Sequence, residues 1–275
     1  MKKVNGNLKI VAVSFVNIIL AAFVWYVITI ISRKFGLKLL ENNFINYSGL
    51  EISILIGQYF VIKKYNNGRV SFEFIDMLFK KNSFKQLFIG IGIGTLMYFT
   101  RVLILSVMKI VKFKGIGFMF YPTNEIIVAS IGAFVTCAIV GFAEEILYRG
   151  IILKHLMQFK GKVFALIISS LIFTILHTQY YQQFHALFSV FIMGILFGYL
   201  YIITESLYLS IGLHFAVDFY SFITGESNNL LLFDIKINNL TFSLYFDYVA
   251  IIVIIILILI LALYRFKNKK LSVNT

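Results

Sequence analysis

The sequence predicts an all-α fold, a polytopic transmembrane helical bundle of about eight spans. Composition is the first reason: 60% of residues are hydrophobic, 13% are charged and mean hydropathy is +0.90. Soluble domains average about 45–50% apolar and about 25% charged. The second is that apolar runs approaching the roughly 20 residues a spanning helix needs recur along the chain. The third is that basic residues gather in the short segments between those runs, as in loops beside a membrane.

The first run, Ile10–Ile31, is uncharged and follows Lys2, Lys3 and Lys9. It is longer than a signal-peptide core, and no small-residue cleavage site follows it, so it reads as a first transmembrane helix. Further runs are Gly49–Ile62, Gln86–Met108, Ile126–Ile152, Val163–His177, Ala186–Ile203, Leu207–Ile223 and Tyr248–Tyr264. Between the second and third, Ser71–Phe88 mixes Phe72, Phe74, Ile75, Leu78 and Phe79 with Lys and Asp. This predicts an amphipathic helix lying on the inner leaflet. Gly194 and Gly198 are spaced for close helix approach, either within the chain or between two copies. No internal repeat or linker divides the chain, so residues 1–275 read as a single integral membrane domain.

Lys63, Lys64, Arg69, Lys80, Lys81 and Lys85 fill one loop; Lys154, Lys160 and Lys162 another; Arg265, Lys267, Lys269 and Lys270 the tail. The stretch Thr224–Asp247 instead carries Glu226, Asp234 and Asp247 against Lys236. Positive-inside counting and an even number of spans place both termini in the cytoplasm, with Arg33, Lys34, Lys38, Lys109, Lys112 and Lys114 counting against it. The net charge of +13 then points to membrane lipids as partners and away from nucleic acid. A cell-membrane, multi-pass location follows. The single cysteine, Cys137, excludes an intramolecular disulfide and any multi-cysteine metal site, and reads as a packed hydrophobe.

Against this apolar background Glu144, Glu145 and Arg149 stand within six residues of one another. Ionisable groups are costly inside a bilayer and mark functional sites by default. Residues four apart share a helix face, which pairs Glu145 with Arg149 and His214 with Asp218. Glu144, about 100° around the helix from Glu145, is left to face a cavity. His177 closes a fifth apolar run. Each feature alone fits a structural hydrogen bond or ion pair. Together, on separate spans, they fit a catalytic or ion-handling centre. His155 and His185 fall near span ends and are assigned no role; Glu51, Arg101 and Glu205 are left outside the site as residues able to snorkel. A tension accompanies this grouping. At 1.5 Å per residue His177 lies about 22 Å along its helix from Lys162, and His214 only about 13 Å from Glu205.

Glu144-Glu145-x-x-x-Arg149-Gly150, Phe173-x-x-x-His177 and His214-x-x-x-Asp218 occur in that order. In this the chain resembles the CPBP intramembrane proteases, also called the CAAX protease and bacteriocin-processing or Abi family, over about 125–222. The resemblance implies hydrolysis of a peptide bond in a membrane-associated peptide or protein. It implies Glu144 as general base, His177 as the group holding the water, and His214 with residue 218 at the oxyanion. Glu145 and Arg149 would fix the geometry. The family commonly has Asn where this chain has Asp218; an ionised Asp cannot donate to an oxyanion. Asp218 could instead be protonated, orient His214 or bind a metal. Glutamate-activated water needs no cofactor, whereas a divalent metal such as zinc would use Glu144, His177, His214 and Asp218. The resemblance leaves peptide maturation and self-immunity to a bacteriocin open. The alternatives are a non-catalytic scaffold or immunity protein of the same fold, and a proton-relay transporter, for which no repeat is found.

Overall fold

The computed structural model describes residues 2–37, 40, 42–224, 233–237 and 242–273. Lys38 and Glu226, both used in the charge count, lie outside the described residues. All eight expected runs fall on helices: α1 (Lys2–Lys34), α2 (Asn43–Tyr65), α3 (Ser83–Val107), α4 (Thr123–Glu145), α6 (Lys162–Leu176), α7 (Phe184–Thr204), α8 (Tyr208–Ile223) and α9 (Phe242–Val273). α4 continues through a π-helical segment, Ile146–Leu153, into α5 (Lys154–Lys160). Six helical stretches are long and apolar enough to cross a membrane; α6 and α8 are shorter. The chain is therefore a multi-pass membrane protein. Outward-facing side chains such as Phe23, Leu103 and Leu263 are more than three-fifths exposed and apolar, as lipid contact requires.

Local signals set the ends. Asn42 caps α2 by accepting from the backbone N–H of Phe44 and Ile45. Gly161, at φ +86, breaks α5 from α6 where an L side chain would be strained. Cys137 is fully buried, packed as a small hydrophobe.

Two packing contacts position the site. Gly90 and Gly94 of α3 lie against the backbone of α8 at Leu209 and Leu213, and Gly212 of α8 against Leu87 and Ile91 of α3. A Cβ on Gly212 would overlap the Leu87 carbonyl, so the two backbones touch as small-residue seams allow. Gly212→Val is expected to cost at least about 1–3 kcal/mol, read as a lower thermal midpoint in detergent. Gly92→Val, pointing into open space, is the control and should leave the midpoint in place. Gly194 meets Ser170 and Phe173 of α6, and Gly198 meets Leu166. The small-residue spacing on α7 thus serves packing within the chain.

The second contact replaces the amphipathic helix expected over Ser71–Phe88. Residues 71–82 form turns and irregular chain, and α3 starts at Ser83. Ile75 and Met77 are buried in protein, whereas Phe72, Leu78 and Phe79 stay exposed. Lys154 Nζ holds the turn by donating to the carbonyls of Glu73 (3.1 Å) and Phe74 (2.9 Å) and to Asp76 Oδ1 (2.7 Å). Tyr201 donates to Asp76 Oδ2 at 2.5 Å and Tyr208 to the Met77 carbonyl at 3.1 Å. The turn from α7 to α8 is consequently roofed over. Leu207 is fully buried, and a methyl placed on Gly150 would lie 3.0 Å from Ile75 O and 3.3 Å from Leu207 Cδ1. α8 therefore starts level with Gly150, about 15 Å from Lys160 along the helix. That offset removes the mismatch in depth between His177 and His214.

At the opposite end, β1 (Val111–Ile116) pairs antiparallel with β2 (Phe233–Ile237) in a two-stranded ribbon that hydropathy did not suggest. Ile110 and Val111 anchor it in an apolar cluster with Tyr98, Leu105, Phe246 and Val249.

Candidate active site

The site forms where the end of α4, the end of α6 and the middle of α8 meet. Glu145 is fully buried, and a buried charge must be paired. Arg149 Nη1 donates to its Oε1 at 2.8 Å, the i, i+4 pairing read from the sequence. Arg149 is itself 1% exposed. Its Nη2 donates to the Gly194 carbonyl at 3.2 Å. Its guanidinium lies over Phe173 (4.7 Å) and Phe197 (5.0 Å), whose ring faces favour a cation. The π-helical turns begin directly after Glu145, so the helix is wider through Arg149 than the sequence reading assumed.

His214 is the hub. Its Nδ1 lies 3.0 Å from Glu145 Oε1. Its Nε2 lies 3.5 Å from Glu144 Oε2 and 3.4 Å from Asp218 Oδ2. Phe197 stacks on the imidazole at 4.6 Å, fixing its plane. A carboxylate faces each ring nitrogen, so both nitrogens are placed to donate.

His177 ends α6, with its Nδ1 2.7 Å from the Phe173 carbonyl. A carbonyl only accepts, so Nδ1 carries the hydrogen and Nε2 is left free. Phe173 packs between the two imidazoles, 4.4 Å from that of His177 and 6.3 Å from that of His214. His177 joins the cluster through this ring. The other five predicted residues, Glu144, Glu145, Arg149, His214 and Asp218, form one continuous chain of contacts.

Burial is graded across the cluster. The Glu145 side chain is 0% exposed, that of Glu144 13% and that of Asp218 32%. Glu144 Oε2 is nevertheless buried without a hydrogen-bond partner among the described residues. A reacting molecule would thus enter past Asp218 and meet an unsatisfied carboxylate oxygen. Among the described residues no three His, Cys, Asp or Glu side chains are arranged to hold a metal ion. The set Glu144, His177, His214 and Asp218 therefore does not fit a zinc site in this arrangement.

One residue expected to snorkel lies in the interior. Glu51 of α2 does not snorkel: it is 8% exposed, and its charge acts on Glu144, His214 and Asp218. The signal was present, since a carboxylate in the middle of an apolar span is itself costly. Arg101 lies elsewhere, with its guanidinium over the Phe246 ring at 3.2 Å. Glu205 ends α7 in a left-handed turn. His155 meets Asn7 at 3.1 Å and His185 meets Asp247 at 2.6 Å, contacts that tie helices together outside the cluster.

Residues 126–220 match the family model described as Type II CAAX prenyl endopeptidase Rce1-like. A search among curated proteins and one among solved structures found no match. The matched segment runs from the start of α4 through α8 and contains all six residues predicted from the motifs. Over residues 126–220, about a third of its length, the chain is thus similar to the Rce1-like type II CAAX prenyl endopeptidases.

Proposed function

We propose that the chain is an intramembrane endopeptidase of the cell membrane that hydrolyses a peptide bond by carboxylate-activated water. The observation that carries this is the buried Oε2 of Glu144, which has no hydrogen-bond partner among the described residues and lies 3.5 Å from His214 Nε2. In this reading Glu144 takes a proton from water, and the hydroxide formed adds to the peptide carbonyl. His177 Nε2 holds the water, because its Nδ1 is committed to the Phe173 carbonyl. His214, donating from Nε2, stabilises the oxyanion. The intermediate collapses with cleavage of the C–N bond, and the proton on Glu144 passes to the leaving amine. Fixed donors in a dry site provide strong stabilisation of developing charge.

Asp218 has a distinct task here. It keeps the hydrogen on His214 Nε2, so the oxyanion donor is the imidazole and not residue 218. Asp218→Asn, which accepts from His214 and can also donate, is expected to keep cleavage within about tenfold of wild type. Asp218→Ala should lower kcat by about 10²-fold, with initial rates on one peptide deciding. Comparable losses in both variants would remove this role.

The substrate class we infer is a membrane-associated peptide with an amphipathic or basic stretch near the cut, because carboxylates dominate the centre. Peptide maturation and protection from a bacteriocin are both served by such an activity. The test uses purified protein in detergent with two probes, a prenylated CAAX peptide and an unmodified basic amphipathic peptide, with and without a chelator. Mass spectrometry should detect cleavage of the basic peptide in both conditions. Cleavage lost with chelator would require a metal, and failure to cut either peptide would favour a non-catalytic scaffold.

A further inference from the structure

We propose that Glu51 is a positioning residue of the hydrolytic centre, a carboxylate supplied by α2 that shares the centre's protons with Glu144. It stands outside the segment that matches the family model, 126–220. The inference rests on the endopeptidase reading and adds a residue to it.

Three observations support it. Glu51 is 92% buried, since its relative exposure is 8%, and its Oε2 has no hydrogen-bond partner among the described residues. Its charge acts on Glu144, His214 and Asp218, which lie on α4 and α8. The helix that carries it is fixed against α4: Ser48 Oγ and Thr136 Oγ1 are hydrogen-bonded at 3.0 Å, and Thr136 also donates to the Phe44 carbonyl. Glu51 lies one turn beyond Ser48, and Glu144 two turns beyond Thr136.

The consequence is a matter of charge. Glu51, Glu144, Glu145 and Asp218 are four carboxylates, and a permanent cation, Arg149, is paired with one of them. Glu145 is matched by Arg149. Glu51 and the Oε2 of Glu144, both buried, have no permanent cation as ion-pair partner among the described residues, and two buried carboxylates in one centre do not both stay ionised at no cost. Carboxylates in this position titrate as a group, and the proton count of one sets that of the next. Glu51 is placed to carry charge or proton in exchange with Glu144, so that Glu144 is free to act as base and to hold the abstracted proton until the amine leaves.

The test reads the carboxyl groups directly. Infrared difference spectra of the purified full chain in detergent, taken across pH, follow the C=O band of each protonated carboxyl. Glu51→Gln identifies the band of Glu51 and is expected to move the titration midpoint of the Glu144 band by about one pH unit. Glu144→Gln should move the Glu51 band by the same amount, because coupling is reciprocal. In cleavage, Glu51→Gln should displace the pH–rate profile and lower kcat while KM stays, and Glu51→Asp should restore part of both. Unmoved bands in either variant, in protein whose thermal midpoint matches wild type, overturn the proposal. Unmoved bands in a protein that still cleaves leave the endopeptidase standing without Glu51. Moved bands in a protein that cuts neither probe peptide overturn the catalytic role together with the endopeptidase reading.

Discussion

Glu144→Gln protein is expected to cleave at least about 10²–10⁴-fold more slowly than wild type, the range lost with a general base. Gln has nearly the shape of Glu and can still meet His214 Nε2, 3.5 Å away, so the fold should be unaffected. What Gln lacks is the capacity to take a proton from water. A matched thermal midpoint, with the rate loss entirely in kcat, is the expected pattern. A comparable rise in KM would instead assign Glu144 to substrate binding.

The second large effect concerns stability. Arg149→Leu is expected to destabilise the chain by about 3–5 kcal/mol, because it leaves the Glu145 carboxylate without its partner in the interior. Arg149 also binds the Gly194 carbonyl and spans Phe173 and Phe197, so its loss loosens α7 and α6 from α4 together. Combining it with Glu145→Gln should recover part of the loss, since the buried charge is then gone. Thermal unfolding of the two single variants and the double variant measures this. Equal midpoints for Arg149→Leu with and without Glu145→Gln would show that packing, and not the ion pair, carries the cost.

Hydropathy located every helix that carries the site, because the cost of leaving an apolar run in water is a property of the run itself. The i, i+4 rule placed Glu145 on Arg149 and His214 beside Asp218, because both pairs lie within one or two turns. What depends on distant neighbours was not legible. The depth of His214 follows from the buried α7–α8 turn, which exists because residues 71–82 fold inward around Asp76 and Lys154. Nothing local to α8 encodes that roof. The backbone contact between Gly90 and Leu209 likewise joins positions far apart in sequence. The burial of Glu51 was hidden for the same reason: its cost was visible, but the packing of α2 against α4 was not. The π-helical turns after Glu145 leave no mark in an apolar periodicity.

The central claim is that Glu144 activates the attacking water. The most direct measurement is a comparison of wild type and Glu144→Gln, reconstituted in liposomes at equal amounts, on the same prenylated and basic peptides, with products identified by mass spectrometry. The account predicts one new N-terminus, at a single peptide bond, from wild type alone. Equal yields of that product from both proteins would contradict it.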